Sequence, residues 1–133
     1  MATVESSPAL RADAARNRER IVAAATEVFA ERGLEASTAE IATRAGVGEA
    51  TLFRRFPTKE DLITAIVAVQ MEEAAAVAAA CLEEEDPWRS VERFLYEMAE
   101  RASKDHGVSD SIKERCMASP ALAEPKRRVL DLT

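Results

Sequence analysis

Apolar residues recur every three or four positions along most of this chain, which is the spacing of one face of an α-helix. The first clear stripe ends just before Gly33 and contains Ile21, Ala25, Val28 and Phe29. We therefore predict a helix over residues 14–32 that ends at the glycine. No segment shows sustained alternation of β-branched and polar residues between turn signals, so the pattern predicts an all-α protein.

Two short helices and a sharp turn are predicted next. Ser37 and Glu40 fit the reciprocal capping pattern that begins a helix over residues 38–45. Gly46 ends this helix, because glycine adopts the left-handed conformation at little cost. A second short helix is predicted from Glu49 to Arg55. The residues expected to face the core are Ile41, Ala42, Ala45, Val47, Leu52 and Phe56.

The predicted second short helix leaves polar and basic side chains uncovered. Glu49, Ala50, Thr51, Arg54 and Arg55 point toward solvent or a ligand when Leu52 is buried. A short helix that is braced by its neighbour and has a basic end can enter the major groove of a duplex. The two helices and their turn therefore predict a DNA-reading unit.

The residues between Arg20 and Leu62 follow a specific pattern. Its positions are Ile21, Ala25, Phe29, Gly33, Thr38, Ile41, Ala42, Ala45, Gly46, Val47, Thr51, Leu52, Phe56, Lys59 and Leu62. In this register the stretch resembles the N-terminal domain of TetR-type bacterial transcription regulators. Phe53 replaces the usual tyrosine, whose hydroxyl commonly touches a phosphate, and Gly48 replaces the usual serine cap. Both departures predict a weaker contact with the DNA backbone.

The resemblance implies a sequence-specific regulator, and we expect a repressor that binds a palindromic operator as a dimer and is released by a small hydrophobic inducer. Thr38 and Lys59 are expected to contact phosphates, whereas Glu49, Thr51 and Arg54 discriminate between bases, with Arg44 as a further candidate. By itself Lys59 also fits an ordinary surface lysine paired with a nearby carboxylate, but its offset from Phe56 favours the phosphate. The predicted DNA-binding residues are Thr38, Thr43, Arg44, Glu49, Ala50, Thr51, Phe53, Arg54, Arg55 and Lys59.

The net charge of −6 is unevenly distributed along the 133 residues. Residues 1–34 carry five basic and five acidic groups, residues 35–60 carry four of each, and residues 61–133 carry nine basic and fifteen acidic groups. A neutral region with clustered arginines can still bind phosphates, while an acidic region is repelled from DNA and helps to orient the encounter. The overall acidity therefore does not exclude a DNA-binding protein.

The part of the chain after Pro57 is predicted to form a long linking helix that is capped by Thr58 and runs to about Leu82, and then a helix that begins at Asp86 and Pro87. Leu62, Ile66, Val69 and Val77 are expected to form the buried side of the linking helix, and Trp88, Val91, Phe94, Leu95, Met98 and Ala102 an apolar face of the next one. A short helix near residues 109–117 and a last apolar segment follow. The resemblance makes six residues candidates for lining an inducer pocket, although such stripes are more often plain core: Trp88, Phe94, Leu95, Met98, Ile112 and Met117.

Four arginines near the N-terminus allow two interpretations. Residues 1–13 are expected to form a disordered basic arm. Arg11, Arg16, Arg18 and Arg20 then belong either to a solvated arm and helix start, or to an arm that adds phosphate or minor-groove contacts. The residue pattern leaves both interpretations open.

The predicted organisation is a three-helix DNA-binding domain over residues 14–62, followed by a linking helix and a partial ligand-binding domain over residues 63–133. The resembled family usually continues through several more helices that complete the pocket and the dimer interface. We therefore expect incomplete packing and exposed apolar surface on the last helices, with a homodimer if such helices are present. The alternative function is a truncated helical interaction module that pairs with a full-length relative without productive DNA binding of its own.

Several other classes of function are not expected. No paired carboxylates, nucleophile with a base, or glycine-rich phosphate loop stand at a credible spacing, so we predict no enzyme and no cofactor. Cys81 and Cys116 are expected to be buried thiols, and His106, the single histidine, to lie at a helix end, so no metal site is predicted. With neither a signal sequence nor an uninterrupted apolar run of membrane length, the protein is expected in the cytoplasm, at the bacterial nucleoid.

Overall fold

The computed structural model describes residues 7–104, together with isolated positions 118, 120, 123, 127 and 131. Within residues 7–104 the chain forms five α-helices and no strand, which confirms the all-α prediction. The helices are α1 (Pro8–Arg32), α2 (Thr38–Ala45), α3 (Glu49–Arg55), α4 (Lys59–Leu82) and α5 (Pro87–Lys104). Predictions that concern Ile112, Met117, His106 and Cys116 lie outside the described residues.

Local capping residues determine where α2, α4 and α5 begin. Ser37 and Glu40 form a reciprocal capping box at the start of α2, and Thr58 and Asp61 form another at the start of α4. At α5, a carboxylate oxygen of Asp86 accepts a hydrogen bond of 2.9 Å from the backbone amide of Trp88. These contacts satisfy amides that have no partner within the helix, so the predicted starts of all three helices are confirmed.

The predicted start of α1 is wrong by two turns. The helix begins at Pro8 instead of near residue 14, and Ser7 is its cap, with a side-chain oxygen 3.3 Å from the amide of Leu10. Proline suits the first helical position because its missing N–H would have no partner there. Residues 8–13 are therefore helical, contrary to the disordered arm that we predicted for them. Residues 1–6 lie outside the described part.

The head, residues 8–67, contains almost all of the buried core. Phe29 and Ile21 from α1 pack with Ile41 from α2, Leu52 from α3 and Leu62 from α4, and each is at most 1% exposed. Fully burying a large apolar side chain contributes roughly 1.5–3 kcal/mol. The three-helix arrangement is therefore held by one continuous core, to which the first turns of α4 belong.

The body, residues 68–104, corrects several predictions of buried side chains. Val69 is 38% exposed and Val77 only half-buried, although both were expected to face a core. Val67 is the last fully buried residue that α4 contributes to the head, and Ala68 and Met71 pack partly against that core. Beyond them, α5 is the described helix that packs against the remaining turns of α4. Exposed apolar surface was predicted for the last helices, and α5 has it: Trp88 is 75% exposed and Leu95 61%.

Only part of the apolar face that the spacing predicted for α5 is covered: Phe94 and Met98 are half-buried. The hydroxyl of Ser90 donates a hydrogen bond of 2.6 Å to the carbonyl of Cys81, and Arg101 pairs with Glu73 at 2.8 Å. Ser90 and Arg101 therefore lie on the side toward α4. The stripe through Trp88, Val91 and Leu95 is turned away, and this stripe is exposed.

One helix in the described part, α4, is long and apolar enough to cross a membrane by length and composition, which corrects the expectation that no segment reaches that length. Its first half is nevertheless core of the head, through Leu62 and Ile66. Its middle also contains Glu72 and Glu73, and Glu73 forms an ion pair. Carboxylates at the centre of a spanning helix are strongly unfavourable in a bilayer, so these features favour a packing role.

Candidate DNA interface

Helices α2 and α3 form a helix-turn-helix whose turn is built on one glycine. Gly46 has φ 71° and ψ 32°, and its amide N–H donates hydrogen bonds to the carbonyls of Ala42 and Thr43. This left-handed conformation lets the chain reverse within three residues, and Val47 packs half-buried against the core at the corner. The predicted turn at Gly46 is confirmed.

Helix α3 presents a solvent-facing side that includes most of the predicted DNA-binding residues. Leu52 and the following Phe56 anchor the helix in the core, with exposures of 1% and 5%. The outward residues are Glu49, Ala50, Phe53, Arg54 and Arg55, which are exposed, and Thr51, which is half-buried. Their placement is the arrangement that a helix entering a major groove requires.

Two basic residues stand at the end of α3. Arg54 and Arg55 occupy its last turn, and neither forms an ion pair with any residue that the structure describes. A guanidinium nitrogen of Arg54 lies 3.5 Å from the hydroxyl of Thr51, at the limit of hydrogen bonding. Both arginines are therefore available for an acceptor on a ligand. Phe53 beside them is 50% exposed, an uncommon position for a phenyl ring.

Gly48 caps α3 without a side chain. No side-chain hydrogen bond is made at this N-cap, in contrast to α2 and α4. The first amides of α3 consequently lack the partner that a serine hydroxyl would supply. The weaker contact with the DNA backbone that we expect from the replacement of serine by glycine stays a prediction.

Helix α2 contributes two of the predicted threonines. Thr38 is half-buried at the first position of the helix, next to the capping box. Thr43 is exposed, and its hydroxyl donates a hydrogen bond of 3.0 Å to the carbonyl of Ala39. Thr38 therefore lies at the positive end of α2, where an anion is favoured, while Thr43 is partly engaged with its own helix.

Arg44, the further candidate for base reading, lies on α2 and is bound by carboxylates of α1. Its guanidinium forms two hydrogen bonds with Glu31, at 3.0 and 2.9 Å, and a longer one of 3.4 Å with Glu27. The hydrogen bond and the charge of Arg44 lower the pKa of the Glu31 carboxyl. Glu31 in turn raises the pKa of Arg44. Arg44 therefore joins α2 to α1.

Lys59 is also tied to the protein, although by a different group than the sequence suggested. Its ammonium donates a hydrogen bond of 2.7 Å to the carbonyl of Leu34, in the segment between α1 and α2. An ammonium has three donors, so two remain for other acceptors. Asp61 is one of the nearby carboxylates that could have paired with Lys59. It instead caps α4, where it accepts a hydrogen bond from the amide of Thr58.

The groove between α4 and α5 differs from the predicted inducer pocket. It is lined by Glu73, Ala76, Val77, Ala80, Arg93, Glu97 and Arg101. Of the proposed lining residues, Phe94 and Met98 are half-buried, whereas Trp88 and Leu95 are exposed to solvent. None of the four described candidates lines this groove, so their place around an inducer stays a prediction.

Comparisons with known proteins agree with this geometry. Residues 21–66 match the model of bacterial regulatory proteins of the tetR family. The fold is similar to the crystal structure of a TetR transcription regulatory protein from Mycobacterium vanbaalenii, with 34% identity over 92% of this chain and 74% of that chain and a TM-score of 0.74. The chain belongs to the TetR family.

A second TetR transcriptional regulator, from Streptomyces coelicolor, is similar at 28% identity over 86% of this chain and 66% of that chain, with a TM-score of 0.58. Membership of the TetR family makes this protein a DNA-binding transcription regulator. TetR-family regulators are generally not enzymes. They are also soluble proteins, which is consistent with a cytoplasmic location.

The sequence interpretation missed several partners at this interface. Leu34 contributes only a backbone carbonyl to Lys59, which no pattern of side chains can reveal. Glu27 and Glu31 stand four residues apart on α1 and thus on one face, a signal that an arginine would be found between them. The sequence could not say which arginine, because that depends on how α2 crosses α1.

Proposed function

We propose that this TetR-family protein is a repressor that binds a palindromic operator as a dimer and is released by a small hydrophobic inducer. The observation that carries the proposal is the exposed side of α3, where Arg54 and Arg55 have no ion-pair partner in the described part of the chain. One head offers few base contacts. Two heads about 34 Å apart, one turn of B-DNA, supply the affinity of a specific site.

The proposed contacts fall into two groups. Thr38 and Lys59 lie at the starts of α2 and α4, where amides and the helix dipole favour a phosphate. Glu49, Thr51 and Arg54 lie on α3 and are proposed to read base edges in the major groove. Arg44 is proposed to act through α2, by holding it on α1, so its part in base reading is reduced.

Selection of bound fragments from a random duplex pool tests the proposal as a whole. The purified chain should enrich one sequence with two inverted half-sites. Enrichment of a single unrepeated half-site would reject the dimer, and no enrichment would reject sequence-specific binding. The selection must be done at stated salt with competitor DNA, because phosphate contacts alone make affinity strongly dependent on salt.

Two substitutions separate the phosphate contacts from the base contacts. Lys59→Ala should weaken binding to all sequences alike and reduce the slope of log K against log salt by about 0.9 per head. Arg54→Ala should change the preferred sequence at one position, at roughly 1–3 kcal/mol per base pair. Lys59→Arg, which keeps the charge, is the matched control. Equal and sequence-independent losses from Lys59→Ala and Arg54→Ala would contradict the division.

One observation favours a second function. The stripe of Trp88, Val91 and Leu95 on α5 is more than half exposed, as expected of a surface that another polypeptide covers. The chain could then act as an interaction module that pairs with a full-length relative without binding DNA productively. Analytical ultracentrifugation with and without an operator duplex distinguishes the two functions. A stable assembly that does not bind any selected duplex would favour the interaction module.

A further inference from the structure

The structure separates four N-terminal arginines that the sequence could not distinguish. Arg16 forms an ion pair with Asp13, three residues earlier on α1. Arg18 and Arg20 have no ion-pair partner among residues 7–104, and both are exposed. Arg11 is exposed as well, but it lies near the N-terminal end of α1. The first fully buried residue of that helix is Ile21, ten positions later.

Arg18 rests against the end of α3, and Arg20 against the turn that joins α2 to α3. The guanidinium carbon of Arg18 lies 5.5 Å from the ring centre of Phe56, the residue that ends α3. Arg20 lies beside Gly46, the cap of α2 in the turn that precedes α3: a Cβ added to Gly46 would be 2.9 Å from the guanidinium nitrogen of Arg20. Each side chain is thereby held near α3 without using its hydrogen-bond donors on a carboxylate.

The turns of α1 that precede these arginines also face α3. Leu10, Asp13, Ala14 and Asn17 line one wall of a groove, and the other wall consists of Thr51, Arg54 and Arg55 from α3. The N-terminal turns of α1 therefore run beside the proposed reading helix. A duplex that contacts Arg54 also comes close to this part of α1.

We infer that the DNA interface extends onto α1, where Arg18 and Arg20 bind backbone phosphates on either side of the major groove that α3 enters. This inference rests on the proposed function. Helix α3 has seven residues and is about 10 Å long, and the major groove is about 12 Å wide. Arg18 at the end of α3 and Arg20 at the turn before α3 are thus spaced to reach both bordering backbones. Arginine suits this role because its planar guanidinium can stack on a ring and still donate from its edge.

The test uses the intact chain and a fluorescein-labelled mixed-sequence duplex of about 30 base pairs, long enough for two heads. Binding is followed by fluorescence anisotropy between about 50 and 200 mM salt, because the slope of log K against log salt reports the number of phosphates contacted. The test variant is Arg18→Met with Arg20→Met, which keeps the apolar stems over Phe56 and Gly46. Arg89→Met with Arg93→Met is the matched control, since it removes two exposed charges from α5.

The parent and the α5 variant should have the same salt slope, and the α1 variant a slope smaller by about 2 per head. Arg18→Lys with Arg20→Lys should restore the parent slope. If the double methionine variant loses helical circular dichroism, each single methionine variant should lower the slope by about 0.9. An unchanged slope in folded α1 variants would overturn this inference alone. A parent chain that binds no duplex would overturn the proposed function too.

Discussion

The helices of the head and of the body both have apolar stripes but bury them very differently. In the head, the apolar stripes of four helices converge, and Phe29, Ile41 and Leu52 are shielded almost completely. In the body, α5 carries an apolar stripe of its own, yet Trp88 and Leu95 are mostly exposed. The comparison teaches that the head is stabilised by contacts within this chain, whereas the apolar face of α5 has no such cover among the described residues.

The largest expected effect comes from removing a core side chain of the head. Phe29→Ala should lower the free energy of unfolding by about 3–5 kcal/mol, because it leaves a cavity among four helices. Leu95→Ala, the control in the body, should change it by no more than about 0.5 kcal/mol, since that side chain is already solvated. Urea unfolding followed by circular dichroism measures both. Comparable losses at the two positions would contradict the contrast between head and body.

A smaller effect is expected at the turn between α2 and α3. Gly46→Ala should lower the free energy of unfolding by about 1–2 kcal/mol, because φ is positive there and the new Cβ would displace Arg20. Gly48→Ser is the matched control. Gly48 has φ −71° and no atom within 4 Å of an added Cβ, so a serine cap should stabilise α3 by a few tenths of a kcal/mol. Thermal unfolding measures the stability of both variants. A Gly46→Ala variant more stable than the Gly48→Ser variant would refute this account of the turn.

The exposed stripe on α5 predicts binding of a hydrophobic dye with little change in stability. The parent chain should enhance the fluorescence of an anilinonaphthalene dye, and Val91→Glu with Leu95→Glu should reduce that enhancement. The free energy of unfolding of the head should stay within about 0.5 kcal/mol of the parent value. A monomeric parent that melts sharply and binds no dye would show that the stripe is covered in solution.

The smallest expected effect concerns the ion pairs between α1 and α2. The pKa of the Glu31 carboxyl is lowered below its ordinary value of 4.5 by Arg44. A group whose pKa falls on folding stabilises the folded state above its unfolded pKa, and this contribution is lost as the pH falls through the folded pKa. Glu31→Gln should therefore lower the urea midpoint slightly at pH 7 and by less at about pH 3. An equal difference at both pH values would exclude the charge as the cause.

The parts of the fold that were predictable from sequence depend on neighbours along the chain. The capping boxes at Ser37 and Thr58, the glycine turn at Gly46 and the proline start of α5 are each contained within about four residues, and all were predicted correctly. The start of α1 was missed because Ser7 and Pro8 resemble the loose N-terminus of many chains as much as a cap followed by a first turn. Local signals of this kind identify an element more reliably than they position an uncapped or early end.

The candidate site was predictable in part for the same reason. The exposed side of α3 follows from helical spacing once Leu52 and Phe56 are assigned to the core. The partners of Arg44, Lys59 and Arg20 were not predictable, because they lie at least 13 residues away on other elements or are backbone groups. Spacing within one helix contains no information on such contacts.

The sequence by itself determined the helices, most of their ends, the turn at Gly46 and the family, because these depend on periodicity, capping and a motif in a fixed register. Only the tertiary structure decided which charged groups are already engaged and which remain available to DNA. Arg44 is paired with Glu31 where α2 crosses α1, whereas Arg18 rests at the end of α3 and Arg20 at the turn before it, neither with a carboxylate partner in the described part. The physical reason is that a hydrogen bond needs atoms within about 3.5 Å, and only the crossing of helices sets such distances.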